Sequence, residues 1–293
     1  MGFDTNRHQS TIAPTLTTMA DHKDDGNSFV LYRYPPSLAA ATVFVVLFAL
    51  TTGSHMFQMF RKRSWFMIPF IIGGLFEFIG YIGRIVSSND QYKLAPYIMQ
   101  TLLLLLGPAL YAATIYMVLG RLVLLTGGER YSLVRRTWLT KIFVGGDVIS
   151  FMMQGAGGGI MSSGASGMKT GEKIIVGGLF VQILFFGLFF LTATLFQIRG
   201  KEYLATLSSN IPWKKHLFAL YATSILILVR SVFRVIEYIQ GNSGYLLRHE
   251  VFLYVFDAVL MFAVMVILNI SHPGDIALLL KDSRKSNRKS SRC

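Results

Sequence analysis

Seven long, predominantly apolar runs dominate the chain, and only short polar segments separate them. A helix needs about 20 such residues to cross the hydrocarbon core of a bilayer, because each residue advances it by only ~1.5 Å. Within lipid every backbone N–H and C=O must be bonded internally, which leaves helices and closed barrels as spanning structures. These runs are continuous rather than alternating, and continuity over this length points to helices. The pattern predicts an all-α polytopic membrane protein, a bundle of seven transmembrane helices at about 37–60, 65–86, 96–124, 139–162, 173–198, 216–240 and 250–271. The expected organisation is a polar N-terminal tail over 1–36, the transmembrane domain over 37–271, and a basic, disordered tail over 272–293.

Charge supplies the orientation. Of the 293 residues, 53% are hydrophobic and only 15% are charged, against roughly a quarter in soluble domains. The net charge of +13 does not indicate nucleic acid, because the basic residues sit between the apolar runs and in the tail, at headgroup level. Membrane lipids are the expected partners and nucleic acid is not one. Outside the spans, sixteen Lys and Arg fall on the side holding 61–64, 125–138, 199–215 and 272–293, and six on the other. The positive-inside rule places the C-terminus in the cytosol and the N-terminus outside, with the plasma membrane as the expected location. Residues 1–36 contain no apolar core of the kind a cleavable signal peptide has, so the first span is expected to direct its own insertion. The one cysteine, Cys293, excludes an internal disulfide and lacks the three residues that follow a prenylated cysteine. Asn6 stands where a myristoylation site has Ser or Thr.

Ionisable residues at membrane depth are costly and face the bundle interior. The second run holds Glu77, Tyr81 and Arg84, whose spacing puts them on one helical face. The sixth holds Arg230, Arg234 and Glu237, and the seventh Glu250, Tyr254 and Asp257. The fourth contributes Asp147 and Gln154, Arg121 ends the third, and Gln100 and Gln182 add uncharged polar groups. One reading is architectural: Arg234 pairs with Glu237, and Arg230 or Arg84 with Asp257 or Glu77. The other is a polar cavity of both charge signs that receives a headgroup or amine; polar stripes on four runs exceed what packing requires. Pro108, inside the third run, frees a backbone carbonyl and kinks the helix. In the GAGGG run, Gly155 and Gly159 have the four-residue spacing that lets helices approach closely.

Several chemistries find no support. GASGMKT at 164–170 has Met168 where a phosphate-binding loop has glycine before its lysine. His55 is the histidine well inside a run, His249 and His272 lie at run ends, and no HExxH occurs, so no metal site is expected. Neither an enzymatic activity nor a cofactor is indicated.

In these stretches the chain resembles the fungal lipid-translocating exporter family, the RTA-like proteins associated with aminocholesterol resistance. The resemblance rests on YPPSLAAATVFVVLF, EFIGYIGR, GPALYAATIYMVLGR, GGDVISFMMQGAGGG, RSVFRVIEYIQG with GYLLRHE, and YVFDAVLM running to SHP, all in order over residues 34–273. It implies a fungal source, seven spans with the N-terminus outside, and movement or export of sphingoid long-chain bases, related lipids or porphyrins. A translocator of amphiphiles that contributes to resistance is the leading expectation. A seven-helix receptor or regulator of stress and lipid signalling is the alternative.

Overall fold

In the computed structural model, residues 37–89, 94–161, 165–207, 213–240 and 244–290 are described, and helices account for nearly all of them. The long helices are α1 (Leu38–Lys62), α2 (Ile68–Asn89), α3 (Leu94–Thr126), α4 (Arg136–Met161), α5 (Ala165–Arg199) and α7 (Trp213–Gln240). A short α6 (Lys201–Thr206) follows α5. The last helical stretch is composite: α8 (Tyr245–Arg248), α9 (Glu250–Leu253), a π-helical segment Tyr254–Val259, α10 (Leu260–Ile270) and α11 (Gly274–Ser290).

Among the described residues, six helical stretches are long and apolar enough to cross a membrane: Leu38–Lys62, Trp65–Ser88, Met99–Thr126, Lys169–Arg199, Trp213–Gln240 and Glu250–Asp282. The fourth run forms α4, whose 26 residues extend ~39 Å at 1.5 Å each. Its glycines and polar residues keep its apolarity below that of the other six.

Local chemistry fixes the ends. The Ser37 hydroxyl accepts from the Ala40 N–H and starts α1, a side-chain cap for an otherwise orphan donor. At its other end Arg61 and Lys62 lie where the helix dipole favours cations. α3 ends on Gly127, whose φ of 64° is the left-handed conformation that glycine adopts without strain. The Gly128 N–H then bonds back to the Val123 carbonyl.

Neighbours in sequence pack as neighbours in space, α1 on α2, α2 on α3, α3 on α4 and α4 on α5. α5 meets α7, α7 meets α10, and α10 returns to α1, which closes a ring. α3 also touches α7 across this ring and is the most enclosed of the six apolar stretches. The packed core runs along it through Tyr111, Ile115, Tyr116, Leu119 and Leu122. Large apolar residues such as Leu50, Phe57, Met152, Leu184, Phe218 and Ile270 are exposed on the outside, the arrangement that lipid requires.

Three expectations change. Residues 274–290 form a helix rather than a disordered tail: Ile276 is buried, and Asp275 pairs with Lys62 of α1 at 2.6 Å. The segment GDIALLLK has apolar residues enough to dock its first turns, although basic residues follow. Helix α5 begins at Ala165, earlier than the apolar run suggests, and so takes in the polar stretch before Lys173. Lastly, Gly155 and Gly159 are not the close-packing positions, since a side chain added at either meets nothing within 4 Å. The α4–α5 approach is made at Gly157, where a Cβ would lie 2.7 Å from the Gly171 carbonyl oxygen. The four-residue spacing is present, but it faces away from the neighbouring helix. α3 runs without a break through Pro108.

Candidate functional site

The polar stripes of α2, α7 and the last stretch converge against α3. At the centre, Asp257 accepts from both arginines of α7: Arg230 Nε bonds its Oδ1, and Arg234 donates to its Oδ2 at 2.5 Å. Arg234 also bonds Glu237 at 2.9 Å, one turn further along α7. Arg230 directs a second arm to the Leu104 carbonyl at 2.6 Å. Leu104 lies four residues before Pro108, which has no N–H to offer that carbonyl. All four charged side chains are almost fully buried, with Asp257 at 0% exposure.

Asp257 belongs to the π-helical segment. A π-turn carries one residue more than an α-turn and is found mostly as short insertions at functional positions. Here it lies directly at the residue that both arginines share.

Glu77 completes the centre and differs from its neighbours. It is 0% exposed, and among the described residues neither carboxyl oxygen has a hydrogen-bond partner. Its charged neighbours within Coulombic range are Asp257, Arg230 and Arg234. Gly107 makes the space for it: a Cβ there would lie 2.8 Å from Glu77 Oε1.

A second pair closes one end. Arg84 donates to Glu250 at 2.7 Å and to the Tyr254 hydroxyl at 3.1 Å. Glu250 also accepts from the Ser37 N–H at 2.9 and 3.0 Å, so it holds the start of α1 as well. Aromatic rings pack beside this pair, Phe44 stacked on Tyr254 at 5.4 Å and Phe48 on Tyr81 at 5.5 Å. Such layers exclude water and raise the strength of the charge interactions beside them.

The other expected residues lie elsewhere. Asp147 is buried across α3, and its Oδ2 accepts from the Tyr116 hydroxyl at 2.9 Å while its Oδ1 has no partner. Gln154 donates to Ser150 at 2.7 Å and to Gln182 at 3.3 Å, a polar seam between α4 and α5. Arg121 lies over the Phe66 ring, 3.9 Å from its centroid. Thus Glu77, Arg230, Arg234, Glu237 and Asp257 meet at one place, and Arg84, Glu250 and Tyr254 form a separate group.

A further polar seam joins α1 to the last stretch. Ser54 donates to Asn269 at 3.0 Å, Gln58 bonds the same side-chain oxygen, and His55 Nε2 lies 2.9 Å from the Met265 carbonyl oxygen. The His55 and His272 rings approach to 5.9 Å. Sequence spacing on α1 carries this seam in retrospect, since 51, 54, 55, 58 and 62 share one helical face. Among the described residues no three His, Cys, Asp or Glu side chains converge as a metal ion requires.

Comparison with known proteins gives this arrangement its context. Residues 70–278 match the model of the RTA1 like protein family. Over 295 aligned residues the chain is 39% identical to Protoporphyrin uptake protein 1 of Saccharomyces cerevisiae, covering 87% of this chain and 96% of that one. It is 32% identical to Probable lipid transporter atnI of Emericella nidulans over 94% of this chain and 77% of the relative. Identity to Sphingoid long-chain base transporter RSB1 of Saccharomyces cerevisiae is 26%, over 94% of this chain and 80% of the relative. No solved structure matches the chain significantly. The matched region contains every residue of the central cluster, and the chain is a member of the RTA1-like protein family.

Proposed function

We propose that this protein is a membrane translocator of amphiphilic molecules, sphingoid long-chain bases or related lipids and toxic amphiphiles, which it moves or exports in support of resistance. The observation that carries the reading is the central cluster itself. Five ionisable side chains are enclosed by apolar helices at a depth where each is costly, and one of them, Glu77, has no hydrogen bond within the fold. Two arginines and an aspartate suffice to tie α7 to the last stretch. A fifth group without a partner is beyond what holding helices together requires. The names of two relatives, a probable lipid transporter and a long-chain base transporter, agree with a cargo that has an apolar body and a polar head.

The proposed topology has seven crossings, with α4 included, the N-terminus outside and the C-terminus in the cytosol of a plasma-membrane protein. Support comes from how α4 runs beside α5. A side chain at Gly146 would meet Phe185, Ser150 bonds the Gly178 carbonyl, and Gly157 approaches Gly171. Positions rising along α4 therefore meet positions falling along α5. An antiparallel helix paired over that length with a spanning helix occupies the same depth, and an odd number of crossings agrees with the distribution of Lys and Arg.

Reconstitution tests the function. Protein in liposomes is given a fluorescently labelled long-chain base in one leaflet, and its appearance in the other is followed. Movement well above protein-free vesicles is expected. No movement, together with unchanged tolerance to long-chain bases in a deletion strain, favours a signalling regulator instead.

A further inference from the structure

Charge within the central cluster does not balance. Arg230 and Arg234 bring two positive charges, and Asp257 and Glu237 answer both through direct hydrogen bonds. Arg84 is matched separately by Glu250. Glu77 is left as a third carboxyl for two guanidiniums, fully enclosed, with both oxygens unpartnered. An ionised carboxylate buried without a hydrogen bond or counter-charge costs many kcal/mol, and such groups neutralise instead. The groups that face it are Arg230 and Arg234 from α7, Asp257 from the π-helical segment, Tyr111 from α3 and Tyr81 from its own helix. None of them donates a hydrogen bond to it. Gly107 lies close against it: a Cβ there would come within 2.8 Å of Glu77 Oε1.

We propose that Glu77 is the proton-binding residue of this protein, and that its proton exchanges for the ammonium group of a cationic amphiphile during translocation. This rests on the translocator reading above and adds the energy source and the charge class of the cargo. The exchange conserves charge. The Glu77 carboxylic acid releases its O–H proton to water on one side as the ammonium arrives, and the resulting carboxylate carries the cation's counter-charge. A proton taken up on the other side restores the acid and releases the amine. The cluster holds the same net charge in both states, so neither one buries an uncompensated ion.

Two measurements on the purified full-length protein separate the claims. The first is infrared absorption of the carboxylic-acid carbonyl in wild type, Glu77→Gln and Asp147→Asn. Wild type and Asp147→Asn should share a protonated-carboxyl band that Glu77→Gln lacks, and Glu77→Gln should melt at or above the wild-type temperature because an amide mimics the neutral acid. A band unchanged by Glu77→Gln, or a marked loss of thermal stability in it, overturns the assignment. The second uses proteoliposomes, a pH difference, and a labelled long-chain base whose amine is fully methylated, so that it cannot cross as a neutral amine. One-for-one exchange supports a cargo ratio of about tenfold per pH unit in wild type, and none in Glu77→Gln. Wild-type movement that ignores the pH difference overturns the exchange and leaves the translocator reading standing. If wild type moves no probe, the translocator reading falls and the exchange with it, while the infrared band decides the proton on Glu77 independently.

Discussion

Arg230 donates to the backbone carbonyl of Leu104 at 2.6 Å, the carbonyl that Pro108 leaves without an intrahelical donor. A proline within a spanning helix removes one backbone bond, and here a guanidinium from α7 replaces it while also bonding Asp257. Arg230→Lys has one amine to serve two acceptors and should destabilise the bundle by about 1–3 kcal/mol. Pro108→Ala restores an N–H that can take the Leu104 carbonyl. The double variant is therefore expected to recover part of the loss, with a coupling of about 0.5–3 kcal/mol. Thermal melting in detergent of the two single variants and the double closes that cycle, and strict additivity would contradict the shared role.

The two ion-pair groups should differ in cost. Asp257→Asn leaves Arg230 and Arg234 with a single buried carboxylate between them, a loss of about 3–5 kcal/mol. Glu250 is more exposed, at 17% of its side chain, so Glu250→Gln should cost about 1–3 kcal/mol. Yield of folded protein and melting temperature should rank wild type first, Glu250→Gln second and Asp257→Asn last.

Tyr116 and Asp147 provide a test of polar burial away from the centre. Tyr116→Phe removes the hydrogen bond that Asp147 receives and should cost about 1–3 kcal/mol, since a buried acceptor is left unmet. Adding Asp147→Leu removes the orphan and should return most of that stability. A double variant less stable than Tyr116→Phe alone would show that Asp147 has a further role in folding.

The glycines of α4 make a sharp comparison. Gly157→Ala drives a methyl to 2.7 Å of the Gly171 carbonyl and 3.0 Å of the Ile175 nitrogen, so backbone must move, at about 1–3 kcal/mol. Gly155→Ala meets open space and gains helix propensity, about 0.5–1 kcal/mol in favour of folding. Melting temperatures on opposite sides of wild type are expected.

Helix positions were readable in the sequence because apolarity over a fixed length is what a bilayer demands, and α1, α2, α3 and α7 end within a few residues of the apolar runs. α5 and α11 extend beyond them because helices persist through polar stretches once their ends are packed, as Ile276 is. The residues of the site were also readable, since charges within apolar runs stand out. Their pairing was not. Arg84 had several acidic partners within its reach by spacing, and it takes Glu250, together with the Tyr254 hydroxyl. Pro108 signalled a freed carbonyl, but spacing along one helix says nothing about which neighbour reaches it. The π-helical segment at Asp257 likewise has no residue pattern of its own, and the solitude of Glu77 emerges only once the folded neighbours are seen to leave both its oxygens without a donor.

The seam between α1 and the last stretch links residues more than 200 positions apart: Ser37 with Glu250, Ser54 with Asn269, and Lys62 with Asp275. A ribosome adds about 5–20 residues each second, so α1 emerges roughly 10–40 s before the groups that will satisfy it. Throughout that interval Ser54, His55 and Gln58 are polar groups without their final partners. The bonds of this seam therefore cannot form until the last stretch has been made, although α1 has α2 to pack against long before.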